Sequence, residues 1–390
     1  MSDFSTIGQW QGELTAWRRH LHAHPELGFE EHSTSAFIQE TLSACGVDEI
    51  HRDPNGTMVV AEVHGRSTGR SIGLRADIDA LPIQEQSGVS YASTTPGVMH
   101  ACGHDGHTTM LLGAARYLAA SRNFNGKAYL IFQPAEEIGG ARRLIDEGLF
   151  KRYPVDQVFG MHNVPNLDSG TFFWRNGAIM AADSTFEIVV TGKGAHGGQP
   201  HMGVDPILAA SAITLNVQSI VSRTVNPNHP AVVSIGMIQG GVAPNVIPES
   251  VVLKGTARWV EPKDGPLIQS ALETIVKNTA ETYGAQAVIT TTMGAPVTMN
   301  DHQAVNMARQ AAGAVAGEEN VRYLKEPPMS AEDFGFMLEA KQGAYILLGS
   351  KRAGVQNWGL HHPRYDFNDE VLSLGASYWS ALVEQQLAAK

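Results

Sequence analysis

The sequence predicts an α/β protein in which a catalytic domain with a largely parallel central sheet is interrupted by a smaller, inserted α+β domain. Three observations predict it. Short apolar strands alternate with amphipathic helices between residues 57 and 162. A β-α-β-β-α-β series then runs from 184 to 292. The 390 residues also exceed what one compact core usually holds.

In chain order, residues 5–22 place Ile7, Trp10, Leu14, Trp17 and Leu21 at helical spacing, which predicts an amphipathic helix. A second helix fits 32–45, capped by Ser33 or Thr34 and stopped at Gly46. The runs "TMVVAEV" (57–63), "SIGLRAD" (71–77), "KAYLIFQ" (127–133) and "DQVFGMH" (156–162) read as strands, with helices at 105–121 and 139–150. Such alternation implies a parallel sheet with helical crossovers. After "GAIMAAD" (177–183) the texture changes: strand 184–192, helix 204–222, strands 230–240 and 249–260, helix 265–284 and strand 285–292. That order is ferredoxin-like. From Met293 the first texture resumes, with helices at 301–316 and 331–340, a strand at 343–349 and a last helix near 368–388. The expected organisation is therefore one discontinuous domain, 1–182 plus 293–390, carrying an insert at 183–292.

Composition narrows the function. The chain is 43% hydrophobic and 17% charged, with 28 Lys and Arg against 39 Asp and Glu, a net charge of −11. Nucleic acid and anionic membrane are poor partners for that balance, whereas small molecules are not excluded. Two cysteines, Cys45 and Cys102, make no disulfide framework. The N-terminus has no basic segment followed by an apolar one, and no apolar run approaches the roughly 20 residues that span a bilayer. A cytoplasmic protein is expected.

The chemistry gathers at strand ends, where open α/β sheets place their sites. "MHACGHDGH" (99–107), "FQPAEE" (132–137), "FGMHN" (159–163) and "GLHHP" (359–363) offer Cys102, His104, Glu136, Glu137, His162 and His361 or His362. A thiolate, imidazoles and carboxylate suit Zn, Mn, Co or Ni ions, and the absence of a Cys₄ or Cys₂His₂ pattern argues against a closed structural zinc. Cys102 and His104 reach one ion only from a turn, for which Gly103 supplies the freedom. Glu136 and Glu137 repel one another unless a cation sits beside them or one is protonated. With a metal beside Glu137, Glu136 is free to take a proton from an acidified water, which is the logic of metal-assisted hydrolysis. Other residues read more plainly. Cys45 reads as core; His20, His22 and His24 as structural or surface residues; Asp105 and His107 as capping and packing. His51, His64, His229 and His302 give no specific signal. Asp77 and Asp79 fit equally as residues that orient metal ligands and as strand-end caps.

The ordered set "LHAHPELGFEE" (21–31), "LRADIDALPIQE" (74–85), "MHACGHDGHTTMLLGAA" (99–115) and "IFQPAEE" (131–137) resembles the M20 metallopeptidase family. "GKGAHGGQPHMGVDPI" (192–207), "GGVAPNVIP" (240–248), "SAEDFGF" (330–336) and "LHHPRYDFND" (360–369) continue the resemblance over nearly the whole chain. It is greatest to the amidohydrolase branch, which includes hippurate hydrolases, N-acyl-amino-acid amidohydrolases and auxin-conjugate hydrolases. The resemblance implies two divalent metal ions per chain, with Cys102 bridging and His104, Glu137, His162 and His361 completing the ligand set. Glu136 is implied as general acid and base. The 183–292 insert is implied as a lid and homodimerisation module, His196 as a histidine reaching the partner's active site, and Asn245 and Arg258 as substrate contacts.

Two departures stand out. His361-His362-Pro363 replaces the family's usual His-Ser-Pro, and alignment favours His361 as the ligand. Arg142 and Arg143 follow the paired glutamates closely, either as part of an acyl pocket or as solvated helix face. The expected function is metal-dependent hydrolysis of N-acyl amino acids. An aminopeptidase or dipeptidase, with Glu332 or Asp333 anchoring a free amine, is the alternative enzyme; a non-catalytic metal- or ligand-binding protein is the other rival, against which Glu136 weighs.

Overall fold

The structure, a computed structural model, describes residues 4–388. Its chain divides into two compact units. One runs up to Ile179, returns over Met299–Glu326 and resumes at Asp333; the other comprises Met180–Thr298 with Pro327–Glu332. The expected bounds of 183 and 292 fall inside the second unit, and 327–332, expected in the catalytic domain, belongs to the insert. That segment has no periodicity for a sequence reading to use. It is tied in by backbone hydrogen bonds, Ala181 N–H to Ser330 O at 3.0 Å among them.

In the first unit, eight strands form a sheet in the order Glu49–Arg52, Val59–His64, Lys127–Gln133, Ser71–Asp77, Gln157–Asp168, Gly343–Lys351, Phe172–Trp174, Val321–Tyr323. The centre is parallel: Ser71–Asp77 pairs in parallel with both Lys127–Gln133 and Gln157–Asp168, which pairs in parallel with Gly343–Lys351. Central strands covered on both faces read as continuous apolar runs, as "KAYLIFQ" does. Two strands toward one edge, Glu49–Arg52 and Val59–His64, are antiparallel. Glu49–Arg52 is absent from the sequence-based expectation because "EIHR" carries no apolar run and stays partly exposed.

The helix His104–Ser121 is buried over nearly its whole length. It packs on the strand Ser71–Asp77 and on helices Gln11–Ala23, His32–Cys45 and Leu372–Gln386. Past its polar first turns the helix is apolar on nearly every side, as a helix inside a core is. Met110, Leu111, Leu112 and Leu118 are fully buried, each worth about 1.5–3 kcal/mol over exposure. Two expected helices are broken. Residues 5–22 form Ser5–Gln9 and Gln11–Ala23, separated at Trp10. Residues 139–150 form Gly140–Asp146 and Leu149–Arg152, separated by Gly148 at φ +90°, a left-handed conformation that ends a helix.

In the second unit, four antiparallel strands lie in the order Ala231–Gly240, Ser250–Trp259, Ala182–Thr191, Gln286–Met293. Helices Pro206–Asn216 and Asp264–Thr282 pack against each other and the sheet. The ferredoxin-like order is the expected one. Asp205 starts the first helix, its carboxylate accepting from the N–H of Ile207 at 2.9 Å. That helix ends at Asn216, short of the expected 222, and a π turn over Ile220–Thr224 follows.

Candidate metal and catalytic centre

The site is built from four separated segments of the first unit. Gly103, at φ +102°, opens the helix His104–Ser121. A Cβ there would lie 2.3 Å from Asn163 Oδ1 and 2.8 Å from Tyr365 Oη, so both backbone conformation and space require glycine. This turn presents Cys102 and His104 together. Cys102 Sγ lies 3.4 Å from His162 Nε2, and the donor atoms of Cys102, His104 and His162 all fall within 4.8 Å of one another. Cys102, Glu137 and His361 form a second such group; His104, Glu136 and Glu137 form a third. His361 Nε2 stands 3.2 Å from Glu137 Oε1. His362 instead stacks on Trp358 at 4.3 Å and accepts the Arg364 N–H. His361 is thus the histidine that reaches the cluster. With its side chain 52% exposed, it stands at the solvent side of an otherwise buried set.

Two left-handed, non-glycine residues hold the approach. Ala135, at φ +59°, turns the chain after the strand Lys127–Gln133 into Glu136 and Glu137. Its N–H donates to the buried Glu31 carboxylate at 2.8 Å. His361 itself sits at φ +63°, its N–H donating to Ala101 O at 2.8 Å. Such conformations persist where surrounding structure over-determines them.

Hydrogen bonds orient the donors. His104 Nδ1 lies 2.9 Å from Asp79 O and 3.0 Å from Asp79 Oδ1, and Asp79 Oδ2 accepts the Glu137 N–H at 3.0 Å. Asp79 is therefore an orienting residue for two donors, which settles one of the sequence alternatives. His162 Nδ1–H donates to Asn163 O at 2.7 Å, leaving Nε2 to face Cys102. Asp77 is committed to Arg75 at 2.6 Å and to His107 Nδ1 at 2.6 Å. His107 Nε2 lies 2.7 Å from Asn163 Oδ1, and Asn163 donates to Tyr365 Oη at 2.7 Å. Behind Glu136, Arg75, Gln133 and the Ala141 N–H all bind the Asp333 carboxylate, and the Asp333 N–H points to Glu136 Oε1 at 3.4 Å. None of Arg75, Gln133, Asn163 or Tyr365 is legible from spacing as part of this site.

Burial and neighbouring charges shift the donor groups in opposite directions, so that a metal binding them must displace protons. Burial pushes the Cys102 thiol up. Burial, reinforced by His107, holds His162 well below the usual imidazole value. Burial also works against a charged His104, but Asp77 and Cys102 outweigh it and lift the group well above its ordinary value. Hydrogen bonds to Cys102 and Glu137 lift His361 to about 10. The donor set fits a divalent ion on a direct observation: among the described residues His104 Nε2 is buried without a hydrogen-bond partner, with carboxylate oxygens of Asp77 and Glu136 both 3.9 Å away. A buried polar atom left unpaired is costly, and a metal ion is the partner this nitrogen lacks.

Other histidines separate from the cluster. His100 is buried with both ring nitrogens unpartnered, and desolvation lowers it to about 4, so it packs as a neutral ring. His22 is fully buried, with Nδ1 2.8 Å from Asp105 and Nε2 3.3 Å from Glu85. Asp105 also lies 3.6 Å from Arg18, so it serves an internal ion network beyond the capping expected of it. Arg142 and Arg143 form exposed pairs with Asp146 and Glu147 one turn on, which is the solvated-face alternative.

His196, Asn245 and Arg258 lie in the second unit. The two-residue strands Ala195–His196 and Val246–Ile247 pair, and Gly197 N–H donates to Asn245 O at 2.7 Å, so His196 and Asn245 share one exposed loop pair. Arg258 stands apart on the strand Ser250–Trp259 and donates to Met329 O at 2.9 Å.

Residues 73–385 match the model of peptidase family M20/M25/M40. The chain belongs to the M20 family. It is 42% identical to a hippurate hydrolase of Campylobacter jejuni over 97% of both chains. It is 39% identical to an N-acetyl-L-cysteine deacetylase of Bacillus subtilis, covering 94% of this chain and 86% of that one. A solved Bacillus subtilis structure, a dinuclear metal-binding peptidase of the M20 family, superposes with a TM-score of 0.84 at 36% identity, covering 97% of this chain and 99% of the other. This M20 protein is a metal-dependent hydrolase of amide bonds that uses divalent metal. Among the described residues, no helix is long and apolar enough to cross a membrane.

Proposed function

We propose that this M20 enzyme hydrolyses the amide of N-acyl amino acids, with two divalent ions that Cys102, His104, Glu137, His162 and His361 would hold. The observation that carries the reading is the Glu136–Glu137 pair. Glu137 belongs to the donor groups of both Cys102 with His361 and His104. Glu136 stands beside them, its carboxylate aimed by the Asp333 N–H. A carboxylate so placed takes a proton from the attacking water and returns it to the departing nitrogen. When bound, the ions supply Lewis-acid polarisation of the carbonyl and lower the pKa of water. His196 hydrogen-bonds the oxyanion across a homodimer, and Asn245 and Arg258 contact the substrate. Manganese, zinc, cobalt and nickel all suit the donor set.

Two relatives named for N-acyl substrates support the acyl-amino-acid class. A free-amine substrate needs an unengaged acid, and Asp333, one of the two acids considered as its anchor, is already bound to Arg75, Gln133 and Ala141, which weighs against Asp333 in that role. The homodimer reading draws support from exposed apolar side chains in the insert: Ile207, Leu208 and Leu215 on one helix, and Val232 and Ile238 on an edge strand. Two unpaired cysteines agree with a cytoplasmic location.

The test is amine release from N-benzoyl, N-acetyl and N-indolylacetyl amino acids by protein stripped with chelator and refilled with Mn²⁺ or Zn²⁺. Turnover should vanish on stripping and return with metal. Faster cleavage of free dipeptides than of their N-acyl analogues would instead establish the peptidase.

A further inference from the structure

The antiparallel edge of the large sheet carries a second convergence of metal-donor atoms, outside the centre described above. Glu49 lies directly opposite Glu62 in the ladder between Glu49–Arg52 and Val59–His64, and His51 follows Glu49 on the same face. His51 Nε2 stands 3.4 Å from Glu49 Oε2 and 3.3 Å from Glu62 Oε1. All three donor atoms fall within 4.8 Å of one another.

These separations are informative. A charge-assisted hydrogen bond to a carboxylate closes to about 2.7–2.9 Å. A tetrahedral ion with ligands at about 2.1 Å spaces its donors about 3.3–3.4 Å apart. The His51–Glu62 contact is a long hydrogen bond at 3.3 Å; it and the 3.4 Å His51–Glu49 separation also match the second value, whereas Lys127 Nζ closes on the same carboxylate to 2.7 Å.

The other oxygen of Glu62 is occupied. Its Oε2 accepts from Lys127 and lies 3.1 Å from His64 Nε2. The Glu62 side chain is only 9% exposed, so this carboxylate is held in one orientation with Oε1 toward His51. The His51 ring is packed at 5.4 Å against Tyr153. Outer contacts of this kind fix metal ligands in place. Glu49 and His51 remain half-exposed, which leaves a side open for an ion and its water.

We propose that Glu49, His51 and Glu62 form a peripheral binding site for a zinc-class divalent ion, with water in the fourth position and His64 and Lys127 fixing Glu62. The ion bridges the first strand of the sheet to the second. It is a binding site at the sheet edge, independent of the hydrolytic reading.

The experiment is equilibrium dialysis of the full chain against Zn²⁺ at a concentration that saturates the wild type, with bound zinc counted per chain. His51→Ala and Glu49→Gln, both at half-exposed positions, should each bind one Zn²⁺ fewer than wild type while the rate of amide hydrolysis stays unchanged. Zn²⁺ should also slow amide hydrogen exchange over 49–52 in wild type and not in His51→Ala. Equal zinc stoichiometry in wild type and both variants would overturn the proposal, whatever number of ions the Cys102 centre holds.

Discussion

Two donor clusters in one unit differ in how they are assembled. The Cys102 cluster draws on segments near 102, 136, 162 and 361, and all but His361 are largely buried. The Glu49–His51–Glu62 cluster comes from two adjacent strands and stays half-open to water. A local pairing gives donors cheaply, since the ladder that aligns them forms anyway. Donors from distant segments need the whole core in place, and once buried they are costly to leave unpaired. His104 Nε2 is such an atom. The buried cluster should accordingly hold metal the more tightly, and a mild chelator should strip the sheet edge first.

The largest effect that would sharpen this contrast is chemical. Glu136→Gln should lower amide hydrolysis by about 10²–10⁴-fold with bound metal unchanged, whereas His51→Ala should leave the rate alone. A normal rate in Glu136→Gln would remove the functional distinction between the clusters. Next comes the support of the buried donors. Asp79→Asn should weaken metal binding about 10–100-fold in a competition against a coloured chelator. His361→Ala should lose metal where His362→Ala does not; the reverse result would move the ligand by one residue.

A smaller effect concerns the ion network behind the cluster. Burial disfavours a charged His22, but hydrogen bonds to Asp105 and Glu85 outweigh it and raise the group to about 9. A raised histidine stabilises the fold fully below its unfolded value of about 6.5 and loses that contribution as pH climbs through about 9. Unfolding free energies from urea titrations should therefore fall over that window, by up to about 3 kcal/mol, and His22→Gln should flatten the dependence. A wild-type profile as flat as the variant's would show that the network is not charged. The smallest change is at the exposed Arg142–Asp146 pair, where Arg142→Ala should shift stability by less than about 0.5 kcal/mol.

Much of this was legible before any coordinates. The strand and helix alternation marked the parallel sheet, and the antiparallel insert followed from its β-α-β-β-α-β order. Glu136 and Glu137 announced themselves through residue type and position after an apolar strand, His162 through its place in one, and Cys102 and His104 through residue type and the turn that Gly103 allows. Where the sequence left alternatives open, a distant contact decided the matter. His22 looks like one of three histidines along a helix, yet its burial depends on Asp105 and Glu85, far off in sequence. His51 carries no local signal because the Glu49–Arg52 strand is too polar to be recognised, and His64 stands at the very end of a recognised run.

By itself the sequence determined the α/β class with its antiparallel insert and marked the candidate donors, because periodicity and the chemistry of side chains are local properties, while the resemblance of its motifs carried the family and the reaction class. Tertiary structure joins to Cys102 the histidine that alignment favoured, His361 rather than His362, and it alone decided that Asp79 orients two donors at once and that Asp333 is committed to Arg75. Those are outcomes of packing, fixed by left-handed turns at Ala135 and His361 and by a core that brings residues hundreds of positions apart within hydrogen-bonding reach.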